Sequence, residues 1–184
     1  MADQDVTAAD WVTLGVALLH REGPAALDAA SICGRLGCDV ADFQHHFADS
    51  GAFALEVARH WADEAEGAAR AARRGKKPAE RLLAMLGLIT EADVELERGV
   101  RALAADHEAV AELVRGADDR HELILTTDLA AVYGLNAEEA QEYGRLLHAL
   151  HVAAMTRSAE EAKIWGAGPA RAVTALLGSN FPIE

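Results

Sequence analysis

The sequence has few aromatic residues, two cysteines and four prolines, and aromatic side chains make up only 5% of its 184 residues. Two cysteines cannot form the disulfide framework of a small secreted domain, which predicts a reducing, cytoplasmic setting. No run of about 18 uninterrupted apolar residues is present, so no membrane span is predicted. The acidic N-terminus lacks the basic flank and apolar run of a signal peptide.

Basic residues are also scarce. The chain has 17 Lys and Arg against 30 Asp and Glu, and the first 60 residues hold three basic residues against nine acidic ones. Nucleic-acid-binding modules normally carry a basic surface, because the release of phosphate counterions supplies much of their affinity. The charge pattern is therefore the strongest single argument against simple DNA binding.

The abundant residues are those that favour helices. Ala, Leu and Glu are frequent, β-branched residues are sparse, and 51% of the chain is apolar. Apolar residues recur at helical spacing almost throughout, which predicts an all-α fold of about nine helices. The predicted helices cover residues 7–21, 28–37, 40–47, a segment from 49, a segment from 78, and residues 95–105, 106–133, 136–157 and 169–178.

Capping residues mark several of these helix ends. Asp28, Asp49 and Asp106 stand where an N-cap is expected. Asn136 and Glu139 have the spacing of a capping box. The periodicity also predicts that Leu36 and Leu146 point into the core, with the other apolar positions of their helices.

The stretch Arg70–Lys77 interrupts the helical pattern and ends at Pro78. It predicts a division into a small N-terminal domain, residues 1–60, and a larger C-terminal helical domain, residues 61–184. The basic run is either a nucleic-acid or anion patch, or a helix end stabilised by cations and followed by a solvated loop. We favour the second interpretation.

Residues 27–61 look like a helix-turn-helix. The positions that carry the wider pattern over residues 7–61 are Leu14, Leu18 and Leu19 followed by Arg21-Glu22-Gly23, then Ile32, Arg35, Leu36 and Gly37, then Phe43, His45, His46 and Phe47, and finally Asp49, Ala52 and Phe53. At these positions the chain resembles the TetR family of bacterial transcriptional regulators. Beyond Pro78 the resemblance is limited to the lengths and order of the helices.

The departures from the family pattern fall where that family contacts DNA. A serine or threonine usually opens the recognition helix, but this chain has Asp39. Gln44 replaces the usual aromatic residue, Ser50 replaces a lysine, and Ala30 stands where a basic residue is common. Asp42 adds a second negative charge to the recognition helix. These substitutions predict weakened contact with the DNA backbone.

The resemblance implies a homodimer formed through the eighth and ninth helices, with two DNA-reading units about one DNA turn apart. It also implies a small apolar ligand among helices five to eight, although the same positions are equally consistent with bundle core. The predicted DNA-binding residues are Ser31, Arg35, Asp39, Gln44, His45 and Ser50. The predicted ligand-binding residues are Met85, Leu86, Ile89, Leu125, Tyr143, Leu147 and His151.

Three further groups have more than one interpretation. His148 and His151, together with His121 and Glu142, could supply a set of metal ligands, but histidines that face a pocket or a dimer seam are commoner, so no metal is predicted. Cys33 and Cys38 form a redox pair or, as we favour, small core residues. Trp165 lines a pocket, anchors a dimer contact or fills the core.

The sequence has no glycine-rich phosphate loop and no arrangement of Ser, His, Asp or Cys that suggests covalent catalysis. We therefore expect neither an enzyme nor a cofactor. The predicted function is a ligand-responsive transcriptional regulator of TetR type that binds duplex DNA as a homodimer. The alternative is a TetR-fold protein with weakened or lost DNA binding that acts as a ligand-binding or protein-interaction module.

Overall fold

The computed structural model describes residues 6 to 155, together with Gly168 and Ala175. Trp165 and, apart from Ala175, the predicted ninth helix lie outside these residues. The described part contains eight α-helices, one short 3-10 helix and no strand, which confirms the all-α prediction. None of the described helices is long and apolar enough to cross a bilayer. The helices are α1 (Ala8–Glu22), a 3-10 helix (Pro24–Leu27), α2 (Ala29–Leu36), α3 (Val40–His46), α4 (Ser50–Arg73), α5 (Pro78–Glu91), α6 (Val94–Asp106), α7 (Glu108–Tyr133) and α8 (Ala137–Met155).

Most predicted helix caps are confirmed. The carboxylates of Asp28 and Asp49 each accept a hydrogen bond from the backbone N–H three residues further on, at 3.1 and 2.7 Å. Asn136 Oδ1 accepts from the amide of Glu139 at 3.0 Å, and the Glu139 carboxylate accepts from the amide of Asn136 at 3.0 Å. These short-range bonds fix where α2, α4 and α8 begin.

The predicted cap at Asp106 is wrong. Asp106 is the last residue of α6, and α7 begins at Glu108. The helical bonding of α6 continues past Asp106, since the amide of His107 donates to the carbonyl of Leu103 at 3.0 Å. The carbonyl of His107 then accepts from the amide of Ala111 at 3.0 Å, so the first bond of α7 starts at the histidine.

The described chain forms two compact units, each built from two segments. Among the described residues, the first unit takes those that fall within 1–64 and 95–114, and the second takes those within 65–94 and 115–184. The segment 95–114, which contains most of α6 and the start of α7, thus packs with the N-terminal helices. The functional division at residue 60 stays a prediction.

An aromatic cluster occupies the core of the first unit. Phe43 of α3 is fully buried, and its ring centroid lies 5.6 Å from that of Trp11 of α1. The rings of Phe47 and Phe53 lie 5.3 and 5.4 Å from Phe43. Because one buried ring of α3 contacts α1 and α4 at once, these contacts hold α3 in a fixed position.

Two leucines that were predicted to face inward are exposed. Leu36 is 44% exposed and Leu146 is 46% exposed. Leu36 is the last residue of α2, where the chain turns away at Gly37. On α8 the adjacent Leu147 is 3% exposed, and consecutive helical residues point about 100° apart, so only one of the two leucines faces the core.

Candidate nucleic-acid interface

Helices α2 and α3 form a helix-turn-helix. They are joined at Gly37, whose φ of 68° and ψ of 30° lie in the left-handed region that glycine adopts without strain. The amide of Gly37 donates to the carbonyl of Cys33 at 2.9 Å and ends α2. Ile32 and Phe43 are both fully buried, so the two helices pack through their inner faces. The turn and the burial pattern leave the outer face of α3 open.

The predicted DNA-binding residues are placed on the surface of this helix-turn-helix. Ser31, Arg35, Asp39, Gln44 and His45 are all exposed. The structure therefore brings five of the six predicted residues to one small bihelical unit, which is the arrangement that contact with a groove requires.

Ser50, the sixth predicted residue, is half-buried. Its Oγ accepts a hydrogen bond from the amide of Ala29 at 3.0 Å and so links the start of α4 to the start of α2. The hydroxyl therefore has a role inside the first unit. The proton of the Ser50 hydroxyl is not used in this bond and can still be donated to a phosphate.

Arg35 is engaged by an acidic partner. Its two terminal nitrogens donate to the two carboxylate oxygens of Glu22, at 2.7 and 2.5 Å. This hydrogen-bonded pairing lowers the pKa of Glu22 and raises that of Arg35. In such a bidentate pair, the carboxylate accepts hydrogen bonds from the same guanidinium N–H groups that would otherwise donate to a phosphate. The only basic side chain of α2 is thus already occupied.

Two backbone amides at the start of the recognition helix α3 are already hydrogen-bonded within the helix. Asp42 Oδ2 accepts from the amide of Asp39 at 3.0 Å, and the amide of Asp42 donates to the carbonyl of Asp39 at 3.0 Å. Free amides at a helix N-terminus bind anions, so these two engaged amides are not available to phosphate. The sequence spacing of Asp39 and Asp42 matches a capping box, and Asp42 therefore has a structural role in addition to its charge.

His45 and His46 lie at the C-terminal end of α3, and both are exposed. Their ring centroids are 5.2 Å apart. The His46 ring also lies 6.5 Å from the ring of Trp11 on α1, so this histidine packs against its own unit while keeping an exposed edge. The expectation that His45 faces outward agrees with its exposure.

The two cysteines lie at the turn. Cys33 is buried, and its Sγ donates to the carbonyl of Asp39 at 3.5 Å. Burial, more than its proximity to Cys38, raises the pKa of the Cys33 thiol to about 11. A protonated thiol is a poor nucleophile, so Cys33 behaves as a small core residue. Cys38 is only half-buried.

The predicted ligand-binding residues lie in the second unit and mostly in its core. Met85, Leu86, Leu125 and Leu147 are buried members of one apolar cluster, against which Ile89 and Tyr143 pack. His151 is 6% exposed. The structure thus draws residues of α5, α7 and α8 together, as either a ligand pocket or a bundle core would.

Three histidines cluster in this second unit. The ring of His121 on α7 lies 5.4 Å from the rings of both His148 and His151 on α8. His148 Nε2 lies 3.4 Å from Asp118 Oδ1, and the buried Nδ1 of the same ring has no hydrogen-bond partner. Among the residues that the structure describes, no three His, Cys, Asp or Glu side chains are arranged to hold a metal ion.

A fully buried carboxylate, which the sequence patterns did not reveal, joins three helices of the second unit. Asp128 of α7 is 0% exposed. It accepts hydrogen bonds from Arg73 Nε of α4 at 3.0 Å and from Arg81 Nε of α5 at 2.8 Å. The partners are 55 and 47 residues distant in sequence, so no local spacing indicates them. Arg73 belongs to the basic run, which is therefore partly a structural ion-pair network.

Comparison with known proteins establishes the fold. No family model and no curated protein matches the sequence. Among solved structures, a transcriptional regulator from Rhodococcus sp. Rha1 aligns with a TM-score of 0.79 and 18% identity, over 97% of this chain and 99% of that one. A TetR-family regulator from Agrobacterium tumefaciens aligns with a TM-score of 0.68 and 20% identity, over 94% and 96% of the two chains. The ketosteroid transcriptional regulator KstR2 of Mycobacterium tuberculosis aligns with a TM-score of 0.58 and 15% identity, over 97% and 96%.

These likenesses extend over almost the whole of each chain. The protein has the fold of TetR-family transcriptional regulators, so the resemblance seen in residues 7–61 is confirmed at the level of the fold. At such low identity the comparison does not transfer function, which has to be argued from the site itself.

Proposed function

We propose that this protein is a cytoplasmic, ligand-responsive transcriptional regulator that binds duplex DNA as a homodimer. The observation that carries the proposal is the exposed outer face of α3, held by the buried Phe43 in a helix-turn-helix. A helix presented in this way fits the major groove of B-DNA. The regulatory role of its structural neighbours supports the same conclusion.

The side chains available on that face suit base contacts better than phosphate contacts. Gln44 and His45 are exposed on α3, and glutamine can form a bidentate pair with adenine. Ser31 is exposed on α2 and can donate to a phosphate. With Arg35 held by Glu22, few strong phosphate contacts remain. We expect modest affinity and a weak dependence on salt.

The ligand is proposed to be small and mainly apolar. The predicted residues that would line its site are apolar apart from Tyr143 and His151, and they belong to or adjoin the core of the second unit. One structural neighbour is a ketosteroid transcriptional regulator, which supports the proposal of an apolar ligand, and another was solved in complex with choline. Ligand binding would shift the equilibrium between arrangements of the two DNA-reading units.

A second candidate is favoured by the acidic surface of the helix-turn-helix. Asp39 and Asp42 occupy the start of α3, and Arg35 is neutralised by Glu22. A TetR-fold protein with this surface would bind ligand or another protein without holding DNA. The two candidates make opposite predictions for DNA binding by the intact protein.

Selection from a pool of random duplexes separates these candidates. The full-length protein is incubated with the pool at low salt, about 50 mM, where electrostatic contacts are strongest. The bound DNA is recovered over several rounds and sequenced. The regulator predicts enrichment of a two-fold symmetric sequence, because a homodimer reads two half-sites. Failure to enrich any sequence would favour the interaction module.

A further inference from the structure

We propose that His45 and His46 make DNA binding pH-dependent, with protonation supplying the positive charge that the recognition helix otherwise lacks. The proposal rests on the proposed function, since it concerns regulation of the same surface. Histidine is the side chain that ordinarily gains or loses its proton between pH 5 and 8. A pair of histidines on the DNA-reading face would therefore couple affinity to acidification.

The position of the pair supports this role. Both imidazoles are exposed on α3, with ring centroids 5.2 Å apart. They stand in the last turn of the helix, where its dipole is favourable to cations. Protonated rings at these positions would be free to donate hydrogen bonds to phosphate or to the acceptor atoms of a base edge.

The charges around the pair make its protonation state important. Residues 39–46 contain two carboxylates, Asp39 and Asp42, and no Lys or Arg. This segment therefore changes from net negative to neutral when both histidines are protonated. Elsewhere on α1, α2 and the first two turns of α4, the charged side chains and histidines are Asp10, His20, Arg21 and Glu22 of α1, Asp28 and Arg35 of α2, and Asp49 and Glu56 at the start of α4.

The arginine of α2 and that of the first part of α4 do not compensate for these carboxylates, because each is paired with a glutamate. Arg35 is bound through two hydrogen bonds to Glu22, and Arg59 of α4 pairs with Glu56. Along the helix-turn-helix, the two histidines are therefore the groups that can add positive charge at mildly acidic pH. Because DNA phosphates remain ionised throughout this range, proton uptake by the histidines would be linked to DNA binding.

The effect of histidine protonation on the affinity for DNA is large enough to measure. For each proton that is taken up on binding, the affinity for DNA rises by about tenfold when the pH falls by one unit. Each protonated side chain that contacts a phosphate also adds about 0.9 to the slope of log Kd against log salt. For the pair, we expect the Kd to fall by about tenfold to 100-fold between roughly pH 7.5 and pH 5.5.

The test is fluorescence anisotropy of the full-length protein with a mixed-sequence duplex of about 30 base pairs, long enough for two half-sites one turn apart. The salt concentration is held constant at about 50 mM. The double substitution His45→Gln with His46→Gln should remove most of the pH dependence. The matched control is His60→Gln, an exposed histidine of α4 in the same unit, and it should keep the wild-type response.

A third variant tests the mechanism without acidification. His45→Arg places a permanent cation on α3 and should bind the duplex more tightly than wild type already at about pH 7.5, with a smaller change on acidification. Helical circular dichroism at each pH confirms that the chain is folded. Affinity that is equal at both pH values in wild type, or an unchanged response in the double variant, overturns the proposal while leaving DNA binding intact. Absence of binding to this mixed-sequence duplex at every pH also overturns the proposal, whereas the regulator itself is tested separately by the selection from random duplexes.

Discussion

Glu22 controls whether the one basic side chain of α2 can reach a phosphate. Its carboxylate holds both terminal nitrogens of Arg35, at 2.7 and 2.5 Å. We predict that Glu22→Gln strengthens DNA binding and raises the slope of log Kd against log salt by about 0.9, since one phosphate contact becomes available. Anisotropy across a salt series measures both effects.

The control for this prediction is Glu56→Gln, which frees Arg59 on the exposed surface of α4 from a similar ion pair. Both substitutions remove one negative charge from the first unit, so a general charge effect would change both proteins alike. Equal responses of the two variants would contradict the specific role of Glu22.

Asp128 is the residue whose loss should most damage the second unit. It is fully buried and paired with Arg73 and Arg81. Asp128→Asn leaves two guanidinium groups without their counter-charge, and breaking a buried pair in this way costs about 3 to 5 kcal/mol. Urea denaturation measures the loss. The control, Arg70→Gln, disrupts an exposed pair with Glu66 and should cost less than about 1 kcal/mol.

The two cysteines should differ in reactivity. Burial raises the pKa of Cys33 from 9.0 to about 11, so at pH 8 very little of it is thiolate. We predict that iodoacetamide modifies the half-buried Cys38 and leaves Cys33 unmodified in the folded chain, as peptide mass spectrometry would show. Cys33→Ser and Cys38→Ser variants identify each site. Rapid labelling of Cys33 in the native protein would contradict its assignment to the core.

At the scale of the helices, Gly15 permits the close approach of α1 and α4. A Cβ at this position would lie 2.6 Å from atoms of both Phe53 and Val57. We predict that Gly15→Ala destabilises the protein by about 1 to 3 kcal/mol, because the buried ring and the valine have to move. Thermal unfolding followed by circular dichroism measures the change.

Gly34 of α2 provides the matched substitution. A Cβ there meets nothing within 4 Å, so Gly34→Ala should stabilise the helix by up to about 1 kcal/mol through its higher helix propensity. The two changes are chemically identical and differ only in their surroundings. If both variants lost stability to the same extent, the close packing of α1 on α4 would not be the cause.

The helices themselves were largely predictable from sequence, because their causes are local. Apolar periodicity and the caps at Asp28, Asp49 and Asn136 depend on residues within a few positions of one another. The cap expected at Asp106 was wrong because α6 continued to that residue. An isolated capping residue does not determine which of two neighbouring helices includes it.

The contacts that define the candidate site were less predictable. Arg35 and Glu22 are 13 residues apart, and Asp128 lies 55 and 47 residues from its arginine partners. Such pairs depend on how the helices pack, which single-sequence periodicity does not specify. The sequence therefore revealed that the recognition helix is acidic, whereas only the structure revealed that its nearest arginine is already paired.

For the molecule as a whole, the fold is that of transcriptional regulators, whereas the net charge opposes binding to DNA. The chain has the TetR fold along almost its entire length, yet its formal net charge is −13 and its first 60 residues are predominantly acidic. A negative protein approaching a phosphate backbone loses affinity at long range as well as at the contact. The account therefore predicts a regulator that depends on few phosphate contacts and is sensitive to small changes in local charge.

The most direct test of this account is the slope of the logarithm of the association constant against log salt for the wild-type protein at neutral pH, measured with a duplex enriched by selection. Regulators that make about 6 to 10 phosphate contacts give slopes near −5 to −9, since each contact contributes about −0.9. We predict a slope no steeper than about −3, because Arg35, the one basic side chain of α2 and α3 apart from histidine, is held by Glu22. A slope near −6 or steeper would show that this surface makes many contacts with DNA phosphates, and would contradict the claim that it makes few.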